Sequence, residues 1–263
     1  MQATSDGAAK TRAAIGRNPV LVLLHGGGPG VDAESNWATV RSRFSAEFRC
    51  LAPDLLGFGT QVVERGPRGP HAWAQARARQ ILDLLDHHGL DRVHLVGNSA
   101  AGGAAALALM AAAPDRIDRA VVMGGAGTGP LPPAVPFYDE PTKQSMRTTL
   151  GRLVADESSH RELLDDLADL RLAQALRPGA EAAFRSMFAD VPDGPPPVDP
   201  TRITCPVLVL HGERDRVSPV EVSRRLAGTL PHGRLEVVAG AGHWIHVDRP
   251  DEFCSLVGEF LTA

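Results

Sequence analysis

Six short apolar runs constrain the fold of this chain more than any other feature. Val20 to Leu24 reads VLVLL and stops at the glycine-rich HGGGPG. Cys50 to Pro53, Val93 to Val96, Ala120 to Met123, Pro206 to Leu210 and Leu235 to Val238 repeat the theme. Continuous apolar runs of this length suit strands that are covered on both faces. Between them stand segments of helical character: Trp37 to Phe48, Ala72 to His88, Ala100 to Ala113, Val220 to Leu230 and Pro250 to Leu261. The alternation predicts an α/β fold, a mostly parallel sheet flanked by helices. Ligands meet such sheets at the carboxyl ends of the strands. His25 to Gly30, Asp54, Ser99, Asp215 and, after the last strand, His243 all fall there.

From about residue 129 to 200 the alternation stops, between the proline-rich borders GPLPPAVP and VPDGPPPVDP. Inside, SMRTTLGRLV, SHRELLDDLADLRLAQAL and GAEAAFRSMFAD predict three amphipathic helices. Leu163, Leu164, Leu167, Leu170 and Leu172 supply much of an apolar face. The expected organisation is a core over residues 1–128 and 201–263 with a helical lid over 129–200, and 263 residues suffice for one core plus an insert. A net charge of −4 without a cluster of lysines or arginines predicts neither a nucleic-acid nor a membrane partner, which leaves a small-molecule substrate. Cys50, Cys205 and Cys254 are odd in number and lack C-x-x-C spacing, so neither a disulfide framework nor a metal site is expected. No apolar leader precedes VLVLL, and AAALALMAAA is too short to span a bilayer, so a cytoplasmic location is expected.

HLVGNSAAGG sets Ser99 between a strand and a helix, in a near match to G-x-S-x-G with Ala101 in place of the second glycine. A serine in a turn is more often a backbone hydrogen-bonding partner than a nucleophile. As a nucleophile it needs a base within reach and a group that holds the base in the right tautomer. HGERDRVSP offers Asp215 after one strand and GAGHWIHVD offers His243 after the next. Glu213 and His246 are the competitors, Asp215 could instead shape a turn, and His243 could instead bond the backbone. The carbonyl chemistry also needs oxyanion donors, and the N–H groups of Gly27 and Ala100 are assigned to that task. His25 reads as a loop-shaping residue.

With these motifs in order, the chain resembles the α/β-hydrolases, and more narrowly the meta-cleavage product hydrolases, which split a carbon–carbon bond in vinylogous 1,5-diketones. The resemblance runs from about residue 20 to the end. It rests on HGGGPG with Ser35-Asn36 downstream, PDLLGFG, LVGNS, an arginine in DLRLAQAL, HGERDRVSP and GHW. It implies an α/β-hydrolase fold with a helical lid, a triad of Ser99, Asp215 and His243, and no metal or organic cofactor. It implies substrate contacts from Gly28, Asn36, Asn98, Arg171 and Trp244, with Arg171 pairing to the carboxylate of a 2-hydroxy-6-oxo-hexa-2,4-dienoate. The family also suggests a homo-oligomer.

Each contact has a plainer reading. Arg171 could be an exposed partner of Asp165, Asp166 or Asp169; Asn36 could cap a helix beginning at Trp37; Asn98 could shape the turn; Trp244 could pack. The sequence also departs from the family in GNSAAGG, in GFGTQ, where a serine is usual after GFG, and in a short lid whose bulky residues are Phe137, Tyr138, Phe184, Met187 and Phe188. A carboxylesterase or lactonase with the same triad, a biosynthetic hydrolase, a peptidase of the proline-iminopeptidase kind and a catalytically silent receptor are the alternatives.

Overall fold

The structure, a computed structural model, describes residues 18–126 and 136–263. Six strands form one parallel sheet in the order β2-β1-β3-β4-β5-β6, with β1 Val20–Leu24, β2 Arg49–Leu51, β3 Val93–Asn98, β4 Ile117–Met123, β5 Val207–Gly212 and β6 Gly233–Val238. Alternation along β1 explains its unbroken apolar run. Val20, Val22 and Leu24 enter the layer on one face of the sheet, while Leu21 and Leu23 enter the layer on the other. Ala120 and Val122 divide from Val121 and Met123 in the same way along β4. Each of these valines, leucines and the methionine contributes about 1.5–3 kcal/mol by leaving water. The edge strands β2 and β6 are partly exposed and correspondingly less apolar.

Ten α-helices are present among the described residues: α1 Ala33–Trp37, α2 Arg41–Phe44, α3 Pro70–His87, α4 Ala104–Ala112, α5 Lys143–Gly151, α6 Arg161–Ala175, α7 Ala180–Met187, α8 Val220–Thr229, α9 Ile245–Asp248 and α10 Pro250–Thr262. The single helix expected over Trp37 to Phe48 is instead α1 and α2. Asp32 and Ser35 form a reciprocal cap that starts α1 early, and Val40, at φ −126° and ψ −18°, interrupts the ladder. Asn36 therefore lies inside a helix and is not its N-cap.

The three helices expected between the proline-rich borders are present as α5, α6 and α7, standing between β4 and β5. The GPLPPAVP border lies almost wholly outside the described residues; VPDGPPPVDP runs without helix or strand up to a short 3₁₀ turn at Pro200–Arg202. The buried stripe of α6 is Leu164, Leu167, Ala168, Arg171 and Ala175, whereas Leu170 is 45% exposed and lies off that face. Among the described residues no helix is long and apolar enough to cross a membrane.

Candidate active site

Ser99 leaves β3 in one wide helical turn, Ser99–Gly103, that runs on into α4. Its φ is +55°, a left-handed conformation that costs a side-chain-bearing residue about 1–3 kcal/mol and recurs where function needs it. The turn is pressed onto β1 so closely that a Cβ at Gly102 would collide with the Leu24 carbonyl. The alanine at 101 is accommodated from outside the motif, because its methyl points at Gly27. A Cβ on Gly27 would stand 3.2 Å from the Cβ of Ala101. The room that the motif normally supplies in the turn is here supplied by the facing loop.

Three strand ends then converge. The Ser99 hydroxyl donates to His243 Nε2 at 2.8 Å, and His243 Nδ1–H donates to Asp215 Oδ2 at 2.8 Å. The turn reading and the acid reading of Asp215 hold together, since its Oδ1 accepts from the N–H groups of Val217 and Ser218 at 2.7 and 3.0 Å. Burial pushes the Asp215 carboxyl up, but the His243 hydrogen bond and the two backbone donors outweigh it and hold the group below the usual carboxylate range. An ionised acid of this kind fixes the imidazole tautomer with its free nitrogen toward the serine.

The competitors are engaged elsewhere. Glu213 accepts from Gly240 N–H at 2.9 Å. His246 donates Nε2–H to the Asn36 carbonyl at 2.9 Å, and burial lowers its pKa to about 3, so it stays neutral. His25 is buried between the Gly26 carbonyl at 2.8 Å and the Leu55 N–H at 2.9 Å, with burial lowering its pKa to about 4. It shapes the loop. Asp54 ties α1 to the GFGTQ turn, accepting from Ala33 N–H and from the backbone and hydroxyl of Thr60. Thr60 thus supplies the hydroxyl where the family has serine.

A cleft of about 920 Å³, counted out to the solvent at its mouth, opens above the serine. Gly27, Gly28, Asn36, Ala100, Arg171 and Trp244 all line it beside Ser99 and His243. Ala100 N–H lies in the first turn after the strand, where amides have no intrahelical acceptor. Asn98 is not among the lining residues. It stands behind Asn36, donating Nδ2–H to Asn36 Oδ1 at 3.1 Å, and Gly26 N–H donates to the same oxygen at 3.2 Å. Both bonds turn the Asn36 amide so that its own NH₂ is left buried without an acceptor.

Arg171 is the second such group. It is 2% exposed, and Nε and Nη2 are buried without acceptors. The exposed pairing open to it in the sequence does not occur, because Arg147 takes Asp165 and Lys143 takes Asp169. Its guanidinium lies 4.9 Å from the Trp244 ring centroid, so Trp244 both packs and supports the charge. Burial lowers its pKa to about 10, which leaves it cationic near neutrality. Gly30, at φ +64°, abuts the Arg171 carbonyl with no space for a Cβ, which docks the HGGGPG loop on α6.

The remaining walls were only partly foreseen. Phe184 and Phe188 line the cleft as bulky residues of the helical segment, but Phe137, Tyr138 and Met187 do not; Met146, Thr149, Leu150, Leu153 and Val217 do instead. Asp248 was missed altogether. Its side chain, 3% exposed, accepts from Gly242 N–H at 2.7 Å, from Ala155 N–H at 3.0 Å and from His160 at 3.0 Å. It therefore ties the turn that carries His243 to the α5–α6 connection. The signal available was its place five residues after His243 in GHWIHVD. Among the described residues no group of three histidines, cysteines or carboxylates is placed to hold a metal ion.

Known proteins resemble this chain along most of its length. Residues 21–256 match the model of the alpha/beta hydrolase family. The chain is 38% identical, over 95% of its length and 91% of the relative's, to the 2-hydroxy-6-oxo-2,4-heptadienoate hydrolase of Pseudomonas putida F1. It is 36% identical, over 92% and 86%, to the 2-hydroxymuconate semialdehyde hydrolase of Pseudomonas sp. CF600. The solved 2-hydroxy-6-oxo-6-phenylhexa-2,4-dienoate hydrolase of Rhodococcus sp. RHA1 superposes with a TM-score of 0.84 at 33% identity, over 94% of this chain and 92% of that one. The chain belongs to the alpha/beta hydrolase family, among relatives named as 2-hydroxy-6-oxo-dienoate and 2-hydroxymuconate semialdehyde hydrolases.

Proposed function

We propose that the protein is a serine hydrolase that cleaves the carbon–carbon bond beside the ketone of a 2-hydroxy-6-oxo-hexa-2,4-dienoate. The observation that carries this reading is the set of buried donors without acceptors, Asn36 Nδ2 and Arg171 Nε and Nη2, in the cleft that holds the Ser99–His243–Asp215 relay. A buried guanidinium with free donors is costly unless an anion completes it. A planar fork suits a carboxylate, which takes two parallel charge-assisted hydrogen bonds. An apolar ester gives no use for that group, so the carboxylesterase alternative is disfavoured.

With the carboxylate at Arg171, the dienolate takes a proton from solvent at the carbon next to the distal ketone and becomes the keto form. Ser99 Oγ then attacks the distal ketone as its proton passes to His243 Nε2. The N–H groups of Gly27 and Ala100 hold the oxyanion, with Gly28 and Trp244 flanking the dienoate, and Asn98 acts through Asn36. Collapse breaks the bond to the α-carbon, whose electrons enter the conjugated enolate. The proton on His243 completes the 2-hydroxy-2,4-dienoate product. Water, deprotonated by His243, hydrolyses the acyl enzyme. Helices α5 to α7 act as the lid, setting the acyl group accepted through Met146, Leu150 and Val217. A cytoplasmic location fits the three free cysteines, which a reducing compartment would preserve.

Loss of colour from a series of ring-fission dienoates tests the reading. Wild type should bleach them, and Ser99→Ala should lose roughly 10⁴-fold or more in kcat on triad precedent. Faster turnover of carboxylate-free esters than of every dienoate would overturn the assignment.

A further inference from the structure

Beside the cleft stands a second hollow, about 450 Å³ counted out to the solvent, that shares the lining residues Gly27, Ala100 and Phe188 with it. A third, of about 690 Å³, shares Pro70, His71 and Phe188 with the second and reaches exposed Arg68 and Asp190. The three are neighbours through shared walls, the first at the catalytic turn and the last at the surface beside the start of α3.

Arg77, on α3, lines the middle hollow and is 3% exposed. Nε donates to the Leu56 carbonyl at 3.0 Å and Nη2 to Met187 Sδ at 3.1 Å. The guanidinium carbon lies 4.9 Å from the Phe58 ring centroid and 5.0 Å from that of Trp73. Among the described residues no carboxylate pairs with it and Nη1 has no acceptor, so one carbonyl, one sulfur and two ring faces are all that offset a buried cation. Burial lowers its pKa only to about 9, so the charge is present near neutrality. An Nη1 amino group with no acceptor and a full positive charge beside a hollow suit one small anion.

The reaction proposed above makes such an anion next door. The acyl group held on Ser99 is neutral. Hydrolysis adds a water oxygen to its carbonyl carbon, returns a proton to Ser99 Oγ through His243, and yields an acid that ionises by giving its proton to water. Arg77 attracts the fragment only after that change. Meanwhile, on the same reading, the dienoate product still occupies the cleft at Arg171.

The geometry points to the Arg77 hollow as a second carboxylate site, which takes the short-chain acid freed from the acyl enzyme and passes it outward past His71. This assignment rests on the acyl-transfer reading of the cleft, but its binding test does not need turnover. Crystals of the protein soaked with 3-bromopropionate should give two anomalous bromine peaks, one from a molecule at Arg171 and one from a molecule between Arg77 and Ala100. Ser99→Ala crystals should give the same pair, and Arg77→Gln should keep the first and lose the second. In steady state, propionate should inhibit wild type in a mixed pattern against the dienoate. Arg77→Gln should turn the pattern competitive, raising the second inhibition constant at least 10-fold, and Arg77→Lys should retain it. Should wild-type crystals fill only Arg171, or should Arg77→Gln leave the mixed pattern intact, the inference fails. The wild-type soak decides even if the variants fold poorly. Absence of dienoate turnover with both peaks present would remove the proposed reaction and with it the exit role, leaving an anion site.

Discussion

Arg171 carries a charge into a place where its own chain gives Nε and Nη2 nothing to hold. Stability and function therefore pull in opposite directions at this residue. Arg171→Met should raise the midpoint of thermal unfolding, because it removes an unpaired buried charge worth about 1–4 kcal/mol. The same change should cut kcat/KM for a dienoate by the roughly 2–5 kcal/mol of a lost buried ion pair, or about 30-fold to several thousand-fold. Calorimetry and the bleaching assay on one sample check both halves; a variant that is less stable and equally active contradicts them. The burial of this arginine was legible in the sequence. It stands seven residues after Leu164 and four after Leu167, on the stripe that faces inward. Counting its acidic neighbours pointed the other way, and those neighbours proved to belong to Arg147 and Lys143. The two buried amides were less legible. That Asn98 serves Asn36 depends on strand β3 and helix α1 meeting across 62 residues of chain.

Between the catalytic turn and the HGGGPG loop, one methyl has been moved from one partner's allowance to the other's. Gly27→Ala should disturb the turn, since its new Cβ would stand 3.2 Å from that of Ala101. Ala101→Gly alone should cost about 0.5–1 kcal/mol of backbone entropy. Combined, the two should cost less than their sum by more than about 0.5 kcal/mol, and denaturant melts of all four proteins measure that coupling. Strict additivity would refute the compensation. At the other end of the site, Asp248 accepts from three donors. Asp248→Ala leaves two backbone amides and a histidine unpaired, at about 1–3 kcal/mol for each buried orphan. It should lower kcat more than it raises KM, because the turn holding His243 loosens while the Arg171 end is untouched. The elements themselves were readable from alternation and proline borders. Their starts were not, because the Asp32–Ser35 cap and the wide turn at Ser99 are local hydrogen-bonding choices that apolar spacing does not record.

Over the whole molecule, the charge state of buried histidines sets the acid limit. Burial keeps His25 and His246 neutral, with pKa values lowered to about 4 and about 3 from an ordinary 6.5. The unfolded chain binds those two protons below pH 6.5 and the folded one does not. Stability is therefore fully present above pH 6.5 and falls as pH drops toward 4, by up to about 1.4 kcal/mol per pH unit for each histidine. Asp215, held low, adds a further loss only at the acid end. Urea melts from pH 7 to pH 4.5 should show the decline, and His246→Gln, if it folds, should flatten it; an unchanged slope would show that other groups govern it. The strands and the helices over them follow from runs visible in the chain, whereas the strand order and these proton states depend on packing.

Where Gly30 meets the carbonyl of Arg171, main chain touches main chain, and no side chain can be trimmed to lengthen or shorten that gap. On the proposed reading, that contact sets how far the helix bearing the carboxylate-binding arginine stands from the loop bearing the oxyanion amides, like the jaws of a gauge. The proposed reaction would then pass dienoates of one backbone length and leave variation to whatever lies beyond the reacting carbon.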